Sequence, residues 1–352
     1  MARALQLAAQ GRYTTFPNPR VGCVIVRDGR IVGEGWHARA GEPHAEIHAL
    51  RAAGARARGA ELYVTLEPCA HQGRTPPCAD ALIAAGIVRV SVALRDPNPQ
   101  VAGQGIERLR AAGITVEEGL LRDEARALNR GFLSRMERGR PWLVLKLAAS
   151  LDGQTALASG ESRWITGEAA RADVQRLRAE CGGILTGAGT VLADDPALNL
   201  RGALAADGAR QPDRVVIDPR ARVPASARVW AEGARRYWLT ARPADSPAGV
   251  TQQCIESAPD APMLLDQALA YCAQQGINTL LAECGAQLAG ALIAGRWVDE
   301  MVLYLAPRLL GEGGRPLARI PALHALADAH AWQFADLRQV GADLRLTLRP
   351  PA

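Results

Sequence analysis

The chain has 352 residues, 48% hydrophobic and 22% charged, with a net charge of +5. That length suggests two domains, each long enough to bury its own core. No apolar run approaches the roughly 20 residues that span a bilayer, and no basic run resembles a nucleic-acid arm, so the basic balance points to small anionic molecules such as phosphates.

In chain order, Met1 to Arg12 lacks the apolar stretch of a signal peptide, and a cytoplasmic location is the expectation. Val21 to Arg27 and Arg30 to Trp36 read as strands joined by a hairpin at Asp28-Gly29. A helix starts near Pro43-His44 and ends by Gly54, and Glu61 to Leu66 is a strand that delivers Glu67-Pro68-Cys69. Pro76-Pro77 opens a second helix, with Cys78 in its first turn and Gly86 at its end. Val88 to Leu94 is a strand, Gln104 to Ala112 a helix, Ile114 to Glu117 a strand and Arg122 to Glu137 one helix. The break Gly139-Arg140-Pro141 sets the expected domains at 1–140 and 141–352. Beyond it, strands are expected at Trp142 to Ala148, Gly183 to Thr186, Asp213 to Asp218, Tyr237 to Thr240, Thr279 to Glu283, Asp299 to Ala306 and Asp343 to Leu348, the last returning from a turn at Gly341. Helices are expected at Gly167 to Cys181 and Met263 to Gln275, a tight turn at Gly187-Ala188-Gly189, and loop over 202–212. Strands alternating with helices make both halves α/β.

The first constellation is His44-Ala45-Glu46, then Pro68-Cys69 and Pro77-Cys78. One imidazole and two thiolates form a soft, three-ligand set suited to zinc, and three ligands leave a position open for water. The ligands fall at two helix N-termini, where the dipole favours thiolate. Glu46 is a carboxylate beside the metal but outside its ligand set, the place for a group that takes a proton from water and hands it on. His-x-Glu, then Pro-Cys and a second Cys, is the zinc nucleobase deaminase pattern, with eight residues between the cysteines in place of two. A structural zinc with a fourth ligand from His37, His48 or His71 stays open, as does a deaminase acting on a base in nucleic acid. Against the second, aromatics are only 4% of the chain and scattered. Cys23, Cys181, Cys254, Cys272 and Cys284 sit beside apolar residues and read as core fillers.

The segments Thr14 to Cys23, Gly41 to Glu46 and Thr65 to Cys78 resemble the deaminase half of the bifunctional deaminase–reductases of riboflavin biosynthesis, whose long segment between the cysteines sets them apart. The resemblance implies a cytidine-deaminase-like three-layer αβα domain with zinc on His44, Cys69 and Cys78 and Glu46 as the proton shuttle. It also implies Asn18, His37 and His71 beside the pyrimidine. Phe16 and Ala70 depart from the family, which often has histidine and serine there.

In the second half no Gly-x-Gly-x-x-Gly follows a strand, so a Rossmann site is poorly supported. Glycine turns after Ile184-Leu185-Thr186 and Ala282-Glu283 leave N–H groups at helix N-termini, which suit a pyrophosphate or are ordinary turns. Of the 41 lysines and arginines only Lys146 is a lysine, at the expected end of the first strand. A position that keeps lysine suits a compact ammonium able to give up a proton. Lys146 to Gly153, Ser159 to Thr166, Thr186 to Pro196 and Glu283 to Leu288 resemble the reductase half of the same family, whose fold is similar to dihydrofolate reductase. That implies NADPH near Ala148, Trp164, Thr190, Asp194 and Gly285, and substrate near Ser162, Trp164, Arg178, Leu198, Arg201 and Glu283. Arg178 and Arg201 read as clamps for a sugar phosphate. Lys146, or else Asp194, is the expected proton donor or orienting group in the reduction. The family reading implies deamination of a 2,5-diamino-6-(5-phosphoribosylamino)pyrimidinone, reduction of its ribosyl to a ribityl chain, no nucleic-acid or membrane partner, and a homodimer.

Overall fold

The computed structural model describes residues 1–70, 77–98, 102–255 and 264–351. The chain divides into two compact units, Met1–Gly139 and Arg140–Ala352.

The first unit runs α1 (Ala2–Gln10), β1 (Gly22–Arg27), β2 (Arg30–Trp36), α2 (Ala45–Ala53), β3 (Glu61–Val64), α3 (Cys78–Ala85), β4 (Arg89–Val92), α4 (Gln104–Ala111), β5 (Thr115–Glu118), α5 (Arg122–Leu128) and α6 (Arg130–Arg138). Its sheet has the order β2-β1-β3-β4-β5. Strand β1 is antiparallel to β2 and β3, and β3, β4 and β5 run parallel. Side chains alternate across a strand. Accordingly Cys23 and Ile25 join a core with Ala45, Ala49, Leu82 and Ile106, while Val24 faces Ala4 and Leu7 of α1. Helices therefore cover both faces, which makes three layers.

Helix α2 packs so tightly on β2 that a Cβ at Gly35 would lie 2.4 Å from the Ala45 carbonyl oxygen. That close approach seats the start of α2 against the sheet edge. The short, alanine-rich α1 carried no sequence signal that we read. The single helix expected over Arg122 to Glu137 is broken at Asn129, whose side chain leaves the helix to pair with the Arg20 main chain. It accepts from Arg20 N and donates to Arg20 O, both at 2.8 Å.

The second unit contains β6 (Trp142–Ser150), β7 (Gln154–Ala156), α7 (Glu168–Glu180), β8 (Gly183–Gly187), α8 (Ala188–Asp194), α9 (Ala203–Ala206), β9 (Asp213–Ile217), β10 (Arg236–Thr240) and β11 (Thr251–Cys254). It continues with α10 (Leu265–Gln274), β12 (Thr279–Ala282), α11 (Ala286–Ala294), β13 (Glu300–Ala306), β14 (Arg315–Pro316), β15 (Gln333–Val340) and β16 (Asp343–Arg349). One sheet takes the order β11-β10-β9-β8-β12-β6-β13-β16-β15. It is parallel from β11 through β13 and antiparallel across β16 and β15. Strand β12 returns late in the chain to lie between β8 and β6, and the crevice beyond such a reversal is where open α/β sheets bind ligands.

Three expectations change here. Lys146 lies in the middle of β6, because pairing with β13 carries that strand on to Ser150. Gly187-Ala188-Gly189 is no separate turn: β8 passes directly into α8, with Gly187 as N-cap. Residues 202–212 include the one-turn helix α9. Among the described residues no helix is long and apolar enough to cross a membrane.

Candidate active sites

In the first unit His44 is the N-cap of α2, and Cys78 is the first residue of α3 after the Pro77 cap. Cys69 follows β3. Strands β3 and β1 bring these segments to one end of the sheet. His44 Nδ1 lies 3.3 Å from Cys78 Sγ and 3.6 Å from Cys69 Sγ, and all three donor atoms lie within 4.8 Å of one another. Zinc at ordinary Zn–N and Zn–S lengths separates tetrahedral N and S donors by about 3.5 Å and two sulfurs by about 3.8 Å. Spacing and donor chemistry both fit that ion. Hydrogen bonding from the Cys78 thiol, with His44, holds Cys69 well below the usual thiol range, while the same bond and burial push Cys78 up, so the pair readily yields one thiolate. The backbone N–H of Cys78 also donates to Cys69 Sγ at 3.4 Å.

Glu46, in the first turn of α2, is 3% exposed. Burial pushes its carboxyl up to about 7, against the pull of His44, and it lies within hydrogen-bond reach of Cys78. A carboxyl of that kind carries a proton near neutrality, as a proton shuttle requires. His37 Nδ1 faces the Pro43 carbonyl at 3.2 Å and can only donate to it. Its Nε2 therefore accepts, at 3.1 Å, from the Asn18 amide nitrogen. Burial lowers the His37 pKa, in keeping with a neutral ring. The ring stands edge-on to His44 with centroids 5.5 Å apart. Asn18, His37, His44, Glu46, Cys69 and Cys78 thus form one site.

His71 lies outside the described residues. Of the candidates for a fourth structural ligand, His37 is committed on both ring nitrogens, and His48, whose Nε2 is buried without a partner, stands apart from the donor group. Among the described residues three donors gather, one fewer than a tetrahedral zinc site takes. Glu67, buried beside Cys69, went unread in the sequence. Its lone signal was the Glu-Pro-Cys string.

In the second unit β6 and β12 pair with Leu145 opposite Ala282, so Lys146 on β6 and Glu283, just past the end of β12, come next. Arg178 of α7 reaches Glu283 with two bonds, Nε to Oε1 at 2.6 Å and a terminal nitrogen to Oε2 at 2.9 Å. It also donates to the Asn199 carbonyl at 2.8 Å. The Arg178 fork, expected from the sequence to clamp a phosphate, is engaged here by the buried Glu283 carboxylate. Burial pushes the Glu283 carboxyl up, but Arg178, then Lys146 and Arg201, outweigh it and hold Glu283 below its ordinary range. Burial lowers the Lys146 ammonium, partly offset by Glu283. Lys146, Arg178, Arg201 and Glu283 therefore share one electrostatic cluster, and Arg201 keeps an exposed side chain.

The glycine turn after β12 sits against α8: Gly285 N, at the start of α11, donates to Thr190 Oγ1 at 3.0 Å. Ala148 and Ser162 are part-buried and Leu198 is buried. Trp164 is 62% exposed beneath the Arg171 guanidinium, 4.6 Å from the ring centroid. Asp194 is exposed at the end of α8, and no hydrogen bond or ion pair links its carboxylate to Lys146 or Glu283 among the described residues. The strands do not bring Asp194 to the cluster as they bring Lys146.

A family model described as the RibD C-terminal domain matches residues 141–346, and one described as the cytidine and deoxycytidylate deaminase zinc-binding region matches residues 1–94. The riboflavin biosynthesis protein RibD of Escherichia coli K12 is 52% identical over 99% of this chain and 98% of its own. The structure of Acinetobacter baumannii RibD superposes with a TM-score of 0.92 at 45% identity, covering 100% of this chain and 98% of that one. A Thermotoga maritima protein, described as a diaminohydroxyphosphoribosylaminopyrimidine deaminase/5-amino-6-(5-phosphoribosylamino)uracil reductase, superposes with a TM-score of 0.88 at 34% identity, covering 100% and 97%.

Proposed function

The chain belongs to the RibD family, and on that premise we propose how its two sites carry out the family's two reactions. It is a bifunctional enzyme of riboflavin biosynthesis, a zinc-type deaminase joined to a reductase. Its substrate on this reading is the diaminohydroxyphosphoribosylaminopyrimidine named for the Thermotoga protein, and the aminouracil formed is then reduced at its ribosyl carbon to a ribityl chain.

In the first unit His44, Cys69 and Cys78 would hold zinc, which when bound would supply the Lewis acidity that makes water a nucleophile near neutral pH. Glu46 takes one proton from the attacking water and passes it to the ring nitrogen, then carries the second, from the new hydroxyl on that ring carbon, to the amine, which leaves as ammonia. Asn18 contacts the pyrimidine, its amide orientation set by His37, and His71 is assigned beside the substrate on family resemblance. The observation that carries this reading is the buried Glu46 carboxyl, poised near 7, beside three converging N and S donors. Glu46→Ala should keep zinc and fold while releasing no ammonia from the pyrimidine. Full deamination by that variant would end the assignment.

In the second unit a nicotinamide cofactor, NADPH on this proposal, supplies the hydride. The Thr190–Gly285 turn receives its phosphates, with Ala148, Trp164 and Asp194 along its path. Lys146 orients or protonates the ring-opened substrate, and Asp194 is the alternative donor. Arg178 holds Glu283 toward the substrate, Arg201 meets the phosphate, and Ser162 and Leu198 line the pocket. Calorimetric titration with NADP and NAD, with and without ribose 5-phosphate, tests cofactor choice and phosphate subsite together. A cytoplasmic homodimer completes the proposal, supported by the edge strand β15, where Phe334 and Leu337 are 67% and 60% exposed. A monomeric mass in solution would exclude the dimer.

A further inference from the structure

Glu67 has no part in the chemistry above, yet it is 4% exposed and immediately precedes the Pro68-Cys69 step. Its carboxylate accepts four backbone N–H groups. Oε2 takes Asp96 at 3.1 Å and Gly103 at 2.9 Å, and Oε1 takes Gly105 at 2.9 Å and Ile106 at 3.2 Å. A carboxylate offers about four acceptor positions, so none is spare. Gly103 is the N-cap of α4, and Gly105 and Ile106 lie in its first turn. The free donors of that helix end are thus met by a side chain from a distant segment rather than by a local cap.

Two further ties join the same parts. Gly105 backs directly onto Pro68, so that a Cβ there would lie 1.8 Å from the Pro68 carbonyl oxygen. Arg108, one turn on, donates to the Ala70 carbonyl at 3.2 Å and pairs at 2.6 Å with Asp80, in the first turn of α3. Helix α4 therefore grips residues 67–70 on one side and the turn that carries Cys78 on the other. Burying a carboxylate is costly unless every lone pair is met. Gly103 has a φ of +89°, which disfavours a capping side chain at that position, so the cap has to come from elsewhere. What the distant carboxylate adds is that its own main chain continues into Cys69.

We propose that Glu67 is a positioning residue of the metal centre: through α4 it holds the Cys69 thiolate at the separation from Cys78 and His44 that zinc requires, and so governs how firmly the metal is retained. The proposal rests on the zinc reading of those three ligands. Partners behind metal ligands typically alter metal affinity or activity by about 10–100-fold when changed. In Glu67→Gln the side chain keeps its size but turns an amide N–H₂ toward two of the four donors.

The test uses the full-length protein loaded with cobalt or zinc. Wild-type protein should show thiolate-to-cobalt bands, and their absence would remove the metal reading on which the proposal stands. Given those bands, folded Glu67→Gln should shift them and release zinc to a chelator about 10–100-fold faster. Its deamination kcat should fall at unchanged KM, with reductase kcat intact as an internal control. A folded variant with wild-type bands and release rate, even if less heat-stable, would overturn the proposal. Should Glu67→Gln fail to fold, Arg108→Met, at a half-exposed site, decides: faster zinc release by less than tenfold supports it, and unchanged release overturns it.

Discussion

The two units build their sites by opposite means. In the first, the candidate metal donors come from one stretch, residues 44 to 78, each at the start of a helix or just past a strand, brought together by the pairing of β1 with β3. In the second, the central charges come from Lys146, Arg178 and Glu283, far apart in sequence and joined by strand pairing and by a helix packed on the sheet. A metal site is defined by donor type and coordination length, so its chemistry is written in the residue string. A charge cluster is defined by who neutralises whom, which only the folded chain decides. Arg178 shows the difference: as a string it is a free cation, and in the fold it belongs to Glu283.

The contrast can be broken most decisively by removing metal. Chelation should reduce deamination to background and leave the reductase rate unchanged, both measured on one sample with separate substrates. Loss of both activities would show that the sites are not independently built. Next in size, Arg178→Met leaves a buried carboxylate without its main partner and should cost about 3 kcal/mol of stability in the second unit. Tryptophan fluorescence during urea unfolding reports it, since Trp36 is the only tryptophan in the first unit. The same pair predicts a pH response. Glu283 lies below its ordinary value of 4.5. Its contribution is therefore present above that pH and lost as pH falls through the depressed folded value. Wild type should lose this increment in acid, and Arg178→Met should lose less, since only Lys146 and Arg201 still hold Glu283 down.

Smaller again, Lys146→Ala should lower reductase kcat about 100-fold at saturating NADPH, the ordinary scale for a proton-transfer group. An unchanged rate would pass the role to Asp194. Smallest, Tyr304→Phe removes a 2.6 Å hydrogen bond to the buried Asp173 carboxylate and should cost about 1–2 kcal/mol, read in the same urea experiment. Deaminase stability should not move. If it did, the separation of the two regions would be too sharp.

Much of the framework was legible because it rests on short-range rules. The Asp28-Gly29 hairpin, the Gly54 and Gly86 helix ends and the proline before Cys78 act within a few residues, and the structure follows them. What failed to read had a tertiary cause. Asn129 breaks a helix because Arg20 offers it two main-chain bonds. Strand β6 runs past Lys146 because β13 pairs with it. Glu67 looked like part of a cysteine motif, and its meaning appeared only when the first turn of α4 came to lie over it.

By itself the sequence picked out the candidate donors of the first site and a candidate proton shuttle, and through the family resemblance the reaction to expect from the second. Ligand identity and spacing are properties of the string. Only the tertiary structure decided that Glu46 is buried enough to be poised near 7, that Arg178 pairs with Glu283, and that no hydrogen bond or ion pair links Asp194 to Lys146 among the described residues. Those outcomes depend on desolvation and on competition among neighbours, and neither exists until the chain has folded around them.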